Sequence, residues 1–237
     1  TLEKTGKTIT ITGNLSASEL TPGILTPIPK DGAGSAITGS VEFNGNDYLE
    51  VDLSNDAIGT DEFTIEMWVN PGETSFTDNR RLIRIGPNNN ANNLQILYNV
   101  GNSNFEVDNG TNELINPGIT TVATQSWSHI ALTRQGTNNL KLFVNGVKDT
   151  ATTTSADISQ TTVQIGDDST LSNLGFFGFI SNLRIVKGTA LYTDDFIPPT
   201  RELKKVPGTV LLCCQDSNNP LTEATGKTIT PYGSLGD

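Results

Sequence analysis

Apolar and polar residues alternate with a period of two in many short runs along the chain. Every second residue from Phe63 to Val69 is apolar, and Leu49 to Leu53 follows the same rule. This period is typical of β-strands that bury one face, because successive side chains point to opposite sides of a sheet. Turn-forming residues separate the runs, and no long stretch has the 3.6-residue period of an amphipathic helix. The pattern predicts an all-β protein.

The clearest pattern covers Trp127–Thr150, which predicts three antiparallel strands joined by two turns. The first strand would place Ile130 and Leu132 on one face and His129 on the other. Asn145-Gly146 favours a type I′ hairpin turn, because both residues readily take positive φ angles.

Other runs extend this interpretation. Val41–Leu53 is predicted as a hairpin that turns at Asn44-Gly45. Further strands are predicted at Phe63–Val69, Leu82–Ile85, Leu94–Val100, Asn104–Val107, Thr162–Gly166, Gly175–Val186 and Val210–Cys214. Many short strands with turn signals between them indicate a two-sheet antiparallel sandwich of the jelly-roll type.

The chain divides into three predicted segments. Residues 1–39 include several prolines and glycines and are predicted as an arm or linker, because proline lacks a ladder donor. Residues 40–215 would form the sandwich, and residues 216–237 a C-terminal tail or a linker to a following repeat.

A short repeat links the two ends of the chain. Thr5-Gly6-Lys7-Thr8-Ile9-Thr10 recurs 220 residues later as Thr225–Thr230, with Glu3 matching Glu223 and Gly13 matching Gly233. The first residues are then either the tail of a preceding copy in a tandem array, or one of two similar strands that close a single domain.

Net charge narrows the choice of partners. The chain has 26 acidic and 15 basic residues, which give a formal net charge of −11. Phosphate backbones would be repelled and no dense Lys/Arg cluster compensates, so nucleic-acid binding is not expected. No run of about 18 apolar residues occurs, so membrane insertion is not expected. Adjacent Cys213 and Cys214 would point to opposite faces of a strand, which favours buried thiols over a disulfide between them.

Candidate catalytic groups are few. Glu62 and Glu66 lie on one face of a predicted strand, and we expect both at the surface. Four residues of strand separate their Cα atoms by roughly 13 Å, whereas paired carboxyl groups in glycosidases lie about 5 to 9.5 Å apart. His129 is the single histidine of the sequence and is expected to pack and to make one hydrogen bond. No catalytic residue is predicted.

Asp167 and Asp168 are the candidate metal ligands, at the loop end of a predicted strand. Ca²⁺ takes six to eight oxygen ligands, so Asp56, Asp61 or loop carbonyls would have to complete the shell. Turn capping by the aspartates is the alternative explanation. The Asn88–Asn93 loop offers amide groups to a glycan, but it contains no aromatic residue on which a sugar ring could stack.

Six short motifs follow one another in a particular order: Phe43-Asn44-Gly45 with Tyr48-Leu49, Phe63–Trp68, Trp127–Ala131, Leu142–Gly146, Ile165-Gly166 and Phe179–Ile185. This order resembles the laminin-G-like, concanavalin A-like lectin/glucanase superfamily over residues 40 to 215. The later segment, Arg184–Tyr192 with Phe196 and Pro198-Pro199, is similar to segments in structural proteins of marine bacteriophages, especially those of cyanobacteria.

The resemblance implies a jelly-roll sandwich that binds glycans or proteins, often with the help of calcium. Many relatives carry an acidic pair where this chain has Ser181-Asn182, so a role of that pair does not carry over.

We therefore expect a non-enzymatic virion structural or adhesion component, displayed on a phage capsid, tail or fibre. Its partners would be host-surface glycan and neighbouring virion proteins, including tandem copies of itself, and Ca²⁺ is the one cofactor considered. The alternative is a carbohydrate-binding module of a bacterial surface or secreted protein. Both place the protein at a virion surface or outside the cell.

Overall fold

A computed structural model describes residues 2–4, 7–9, 37–72, 78–87, 92–166, 174–233 and 235. All regular secondary structure in these residues is β-strand, and neighbouring strands pair antiparallel. The strands are β1 Leu2–Lys4, β2 Lys7–Ile9, β3 Val41–Asn44, β4 Tyr48–Asp52, β5 Phe63–Pro71, β6 Arg80–Ile85, β7 Leu94–Asn99, β8 Asn104–Asp108, β9 Glu113–Ile115, β10 Ser128–Gln135, β11 Asn139–Val144, β12 Val147–Thr153, β13 Thr162–Ile165, β14 Phe177–Lys187, β15 Thr209–Cys213 and β16 Ile229–Tyr232.

Two seven-stranded sheets form the sandwich. Sheet A has the order β12-β11-β10-β5-β14-β15, and β3 also pairs with β14. Sheet B has the order β16-β4-β13-β6-β7-β8-β9. The predicted all-β, two-sheet antiparallel sandwich is confirmed. Within the described residues there is no helix long and apolar enough to cross a membrane.

The inner faces of the two sheets build one apolar core. Alternate residues of β5 point into it, and they are at most 1% exposed, as the period-two pattern predicts: Phe63, Ile65, Met67 and Val69. Sheet B contributes Leu49, Val51, Ile83 and Ile85, which are equally buried. Each such side chain contributes about 1.5–3 kcal/mol through burial, so these rows fix which face of each strand is inward.

Strands β10, β11 and β12 form the meander predicted for Trp127–Thr150. Ile130 and Leu132 point into the core, and Ile130 pairs with Val144 across the first hairpin. Asn145 and Gly146 have φ angles of 51° and 79° between β11 and β12. Two successive positive φ angles are those of a type I′ turn, so this prediction is confirmed.

The hairpin predicted at Val41–Leu53 is wrong. β3 pairs with β14 in sheet A, whereas β4 pairs with β13 in sheet B, so the chain changes sheets between them. Gly45 has a φ of 86°, and the carboxylate of Asp47 accepts the backbone N–H of Asn44 at 3.0 Å. The Asn-Gly signal therefore marks a corner between sheets, because the same positive φ serves both kinds of turn.

The sandwich continues past the predicted boundary at residue 215. β16 pairs with β4 at the edge of sheet B, and Ile229 is only 5% exposed in the core. Part of the segment 216–237, predicted as a tail or linker, is thus a strand of the sheet. β1 and β2 pair with each other, apart from the two large sheets. Residues 10–36 of the predicted arm lie outside the described residues.

The two cysteines are buried free thiols, as expected. Their side chains do not point to opposite faces, however, because Cys214 has a φ of 60° and its sulfur lies 3.8 Å from that of Cys213. The hydrogen bond with Cys214, and then burial, raise the pKa of the Cys213 thiol well above its usual value.

Arg134, at the end of β10, ties the loops at one end of the sandwich together. Its guanidinium donates to the carbonyls of Asp61, Gly59 and Ala156 at 2.7–3.0 Å. The side chain is fully buried and lies 5.1 Å from the ring centroid of Phe63. Hydrogen bonds to three carbonyls satisfy the buried charge.

Candidate functional site

A segment without regular structure, residues 188–206, crosses the outer face of sheet A, and we call it the strap. Strap carbonyls accept hydrogen bonds from side chains on three successive strands, β5, β10 and β11: Thr64 to Thr189, Thr133 to Tyr192 and Lys141 to Thr193. The strap therefore buries the middle of this face.

A charged cluster lies beneath the strap, centred on Glu66 of β5. One carboxylate oxygen accepts two hydrogen bonds from Arg184, with distances of 2.9 and 2.5 Å. The other accepts from the Tyr192 hydroxyl at 2.8 Å and lies 3.3 Å from Nε2 of His129. Glu66 is fully buried, so the prediction that it lies at the surface is wrong. The strap, which covers this outward-facing residue, is the reason.

Two groups of the cluster have shifted pKa values, the Glu66 carboxylate and the Tyr192 phenol. Burial acts to raise the pKa of Glu66, but hydrogen bonding and charge from His129 and Arg184 outweigh it and leave this pKa below its usual value. Burial, and then the Glu66 charge, raise the pKa of Tyr192. An ionised carboxylate and a protonated phenol are the states that these hydrogen bonds favour.

His129 packs inside the cluster, as expected for this residue. Its ring is fully buried and contacts the aromatic rings of Trp68, Tyr192 and Phe196 with centroid distances of 5.3–6.4 Å. Nδ1 has no hydrogen-bond partner, whereas Nε2 lies within hydrogen-bonding distance of the Glu66 carboxylate, to which a proton on Nε2 donates. The expected packing role with one hydrogen bond is confirmed.

The two predicted glutamates do not form a carboxylate pair. The carboxylate of Glu62 accepts the backbone N–H of Gly136 at 2.7 Å, while Glu66 is enclosed by Arg184, His129 and Tyr192. Glu66 has no free edge for a substrate, and its low pKa is the reverse of what a general acid needs. The arrangement stabilises the sheet and attaches the strap.

The predicted metal ligands Asp167 and Asp168 lie outside the described residues. Of the groups suggested to complete their shell, Asp56 pairs with Lys227 at 2.9 Å, and the main-chain carbonyl of Asp61 accepts from Arg134. Among the described residues, no group of three or more His, Cys, Asp or Glu side chains could hold a metal ion. Because Asp167 and Asp168 lie outside that part of the chain, the expectation of a calcium site there stays a prediction.

Ser181-Asn182 forms a structural bulge in β14. Asn182 has a φ of 52°, and its side-chain oxygen accepts from the backbone N–H of Leu203 at 2.8 Å and from Gln215 at 2.7 Å. The Ser181 hydroxyl donates to the carbonyl of Gly39 at 2.5 Å. Both side chains are buried and bind the protein itself, so they are not exposed to a ligand.

Beyond the strap, the outer face of sheet A carries exposed aromatic side chains. Trp127 precedes β10, and its ring centroid lies 6.4 Å from that of Phe179 on β14. Trp127 and Phe177 are each 42% exposed, and Phe179 is half-buried. We call these three residues the aromatic edge. Asn70 and Glu42 pair with Phe179 on its two neighbouring strands.

The aromatic edge combines flat apolar rings with polar groups at their sides. Asn70 is half-buried and Glu42 is exposed, so an amide and a carboxylate flank the Phe179 ring. Sequence reasoning missed this surface, because Trp127 and Phe179 lie 52 residues apart and only strand pairing brings them together. The available signal was the alternation of core-facing and outward-facing positions, which places Trp127 and Phe179 on the outward side of their strands.

The outer face of sheet B carries a polar row instead. Gln164 donates to Glu50 at 2.9 Å and accepts from Arg84, and Gln95 donates to Asp108 at 2.5 Å. Arg84, Gln164 and Gln95 are at most 6% exposed. Burial raises the pKa of Asp108. This row is an internal network across neighbouring strands.

Comparisons with known proteins agree with this architecture. Residues 43–194 match the family model for laminin G-type domains of the concanavalin A-like lectin/glucanases superfamily. No curated protein matches the sequence.

Similar folds occur among solved structures. A candidate carbohydrate-binding protein from Bacteroides ovatus has a TM-score of 0.66 at 20% identity, over 84% of this chain and 60% of that one. A heptameric SAP-like pentraxin from Limulus polyphemus has a TM-score of 0.52 at 10% identity, over 81% and 94% of the two chains. The chain thus spans three fifths of the length of the Bacteroides protein, and at these identities the likeness concerns the fold.

Proposed function

Since the chain belongs to the concanavalin A-like lectin/glucanases superfamily, we propose that it is a non-catalytic glycan-binding domain that works in adhesion. We place it outside the cell, on the surface of a phage virion, where it would contact host-surface glycan. The observation that carries the binding function is the aromatic edge of Trp127, Phe177 and Phe179.

The chemistry of the aromatic edge suits a sugar ring. Pyranose rings present C–H groups on one face and hydroxyl groups around their rim. Trp127 and Phe179 supply aromatic surface for the C–H face, while Asn70 offers donors and an acceptor and Glu42 offers acceptors for the hydroxyls. Exposed apolar patches rimmed by polar groups mark interaction surfaces in soluble proteins.

The absence of a role in catalysis is supported by the state of the glutamates. Glu66 is fully engaged beneath the strap, and Glu62 accepts a main-chain N–H group. Glu62 and Glu66 are the two carboxylates that the sequence offered as catalytic candidates. The hydrogen-bond partners of both lie away from the aromatic edge, at Gly136 and in the cluster under the strap. A bound glycan would therefore meet no acid–base pair there.

Binding is tested with a glycan array followed by titration calorimetry on the best ligand. We expect Trp127→Ala to weaken binding about tenfold or more, which corresponds to about 1.4 kcal/mol. Tyr232→Ala is the matched control, because Tyr232 is 40% exposed but stacks on Tyr48 at the edge of sheet B. Equal losses in both variants, or an array without any bound glycan, would contradict the proposal.

The virion placement and calcium need separate experiments. Mass spectrometry of purified phage particles should detect the chain, and its consistent absence from particles would leave a bacterial surface or secreted module as the function. For calcium, EDTA should weaken glycan binding in the native chain but not in Asp167→Asn/Asp168→Asn. If EDTA has no effect on the native chain, calcium has no part in binding.

A further inference from the structure

Strand β12 lies at an edge of sheet A, and part of its main chain points away from the sheet. On its inner side β12 pairs with β11, and just past β12 the backbone N–H of Thr154 donates to the carbonyl of Asn138 at 2.8 Å. Hydrogen-bonded pairs alternate along an antiparallel ladder, so Thr152 bonds to β11 in the same way, whereas Ala151 and Thr153 turn their N–H and C=O groups outward. Among the described residues, no hydrogen bond reaches these outward groups.

Residues 150–155, which we call the β12 edge, have short and uncharged side chains. One face of the β12 edge is exposed and the other is half-buried, with the members Ala151, Thr153 and Ser155 on the first and Thr150, Thr152 and Thr154 on the second. Soluble proteins usually protect an edge strand with charges, proline or a bulge, because its free main-chain groups can pair with a further strand. Residues 150–155 contain none of these protections.

The other edges that the described residues form are covered or blunted. Along β15, the Glu223 carboxylate accepts the backbone N–H of Leu212 and the N–H of Ala224 donates to the Leu212 carbonyl. Strand β16 contains Pro231, which has no N–H to donate. Strands β3 and β9 have only four and three residues. The β12 edge is therefore the one that is best prepared, within the described part of the chain, to accept another strand.

An exposed apolar side chain stands beside the β12 edge. Ile119 is 76% exposed, and its backbone N–H donates at 2.9 Å to the carboxylate of Asp149, the residue that precedes the β12 edge. A strand that pairs with the β12 edge would pass Asp149 and cover part of Ile119. Burial of this side chain would add apolar contact to the main-chain hydrogen bonds.

We propose that the β12 edge pairs antiparallel with the β12 edge of a second copy of this chain, about a twofold axis at Thr152. The edge is self-complementary in this register, because Thr150 faces Thr154 of the second copy and Thr152 faces its own counterpart. Such Thr–Thr pairs stabilise neighbouring strands. Ala151 of each copy exchanges two hydrogen bonds with Thr153 of the other, so the outward groups of both residues are satisfied.

Neighbouring registers fit less well. A twofold axis at Thr153 would set Asp149 opposite Asp157 of the second copy, and like charges directly opposite each other are destabilising. An axis at Ala151 would set Thr153 opposite Asp149, whose carboxylate already binds the loop 118–122. With the axis at Thr152, Asp149 faces the uncharged Ser155 instead.

This pairing joins two copies of sheet A into one continuous sheet. The twofold axis is perpendicular to the sheet, so the outer faces of both copies lie on the same side. Two aromatic edges then point in one direction, and a surface that carries many glycans can engage both at once, which raises avidity. Only this last consequence rests on the proposed function, because the pairing itself involves no glycan.

Analytical ultracentrifugation of the full chain, without glycan, measures the dimer. Each copy has a net charge of −11, so salt at about 0.3 M should be present to screen the repulsion between copies. Thr153→Pro removes an outward N–H group that β11 does not use, whereas Thr153→Val keeps this group. We expect the native chain to dimerise below about 500 µM, and Thr153→Pro to have a Kd at least about tenfold higher than Thr153→Val.

A single cysteine at the twofold axis tests the register. In the proposed dimer Thr152→Cys faces its counterpart in a pair without main-chain hydrogen bonds, where side chains are close enough for a disulfide. Ser155→Cys is the control, because Ser155 is more exposed but its two copies lie about 20 Å apart. With oxidised glutathione, Thr152→Cys should give at least about fivefold more linked dimer. Native Cys213 and Cys214 are buried and do not compete.

Three results would overturn the proposal. The first is a native chain that stays monomeric up to about 500 µM. The second is an equal Kd for Thr153→Pro and Thr153→Val, when circular dichroism shows that both are folded. The third, which applies even if Thr153→Pro does not fold, is an equal yield of linked dimer from Thr152→Cys and Ser155→Cys. None of these measurements contains a glycan, so they fail or succeed independently of glycan binding.

Discussion

Replacement of Glu66 by Gln tests whether the cluster under the strap stabilises the fold. The amide keeps the size of the side chain but removes the charge that Arg184 faces at 2.5 Å. Arg184 is 5% exposed, so its guanidinium would be left in a buried site without a counter-charge. Removing one partner of a buried ion pair costs about 3–5 kcal/mol, which for a domain of this size lowers Tm by about 6–20 °C.

Urea denaturation followed by tryptophan fluorescence measures this cost, with Glu62→Gln as the control. Glu62 directly precedes β5, and its carboxylate makes one hydrogen bond, to the backbone N–H of Gly136, which the amide oxygen of Gln can also accept. We expect the control to lose less than about 1 kcal/mol. If Glu66→Gln loses no more than Glu62→Gln, the cluster does not have the stabilising role that we assign to it.

The difference in stability between the native chain and Glu66→Gln should depend on pH, with a sign that follows from the pKa of Glu66. This pKa is lowered in the fold, so ionised Glu66 contributes stability above its ordinary value of 4.5, and the contribution is lost as the pH falls through the folded pKa. The stability difference between the native chain and Glu66→Gln should therefore shrink below pH 4.5. A difference that stays constant from pH 7 to pH 3 would contradict the low pKa.

Three further changes have definite expected outcomes. Gly146→Ala would put a Cβ 2.0 Å from a strap carbonyl oxygen, so thermal denaturation should show a larger loss than for Gly136→Ala, which has no atom within 4 Å; equal losses would contradict strap docking. Asp149→Ala removes the acceptor of two backbone N–H groups in the loop 118–122 and should speed hydrogen exchange there, with β11 as the unchanged reference. Cys213 should react with a thiol reagent only as the protein unfolds, and rapid labelling in native buffer would contradict its burial.

Strand positions could be predicted because alternation reports which residues face a core. Phe63–Val69 and the Trp127–Thr150 meander are confirmed on that basis, and Asn145-Gly146 adopts the φ angles that its residue types favour. Alternation does not report which sheet a strand joins. Val41–Leu53 therefore looked like a hairpin, although β3 and β4 belong to different sheets.

The site was harder to predict, because it depends on segments with no periodic pattern. Glu66 looked exposed since it lies opposite the core on an alternating strand, yet the strap buries it. One signal in the sequence pointed to a buried cluster. Glu66, His129 and Arg184 all lie on the outward-facing side of predicted strands, and an aromatic residue, Tyr192, follows shortly after the last of them. The aromatic edge likewise appears only when β14 is placed beside β5.

Arg134 holds the loops at one end of the sandwich together without a bound ion. Its guanidinium gathers main-chain carbonyls from two loops, much as a bound divalent ion gathers oxygens, but it is part of the polypeptide and cannot be chelated. Burial lowers its pKa, yet arginine stays protonated throughout the range in which proteins fold. The arrangement of these two loops therefore needs no bound metal ion, and a chelator such as EDTA would leave it unchanged.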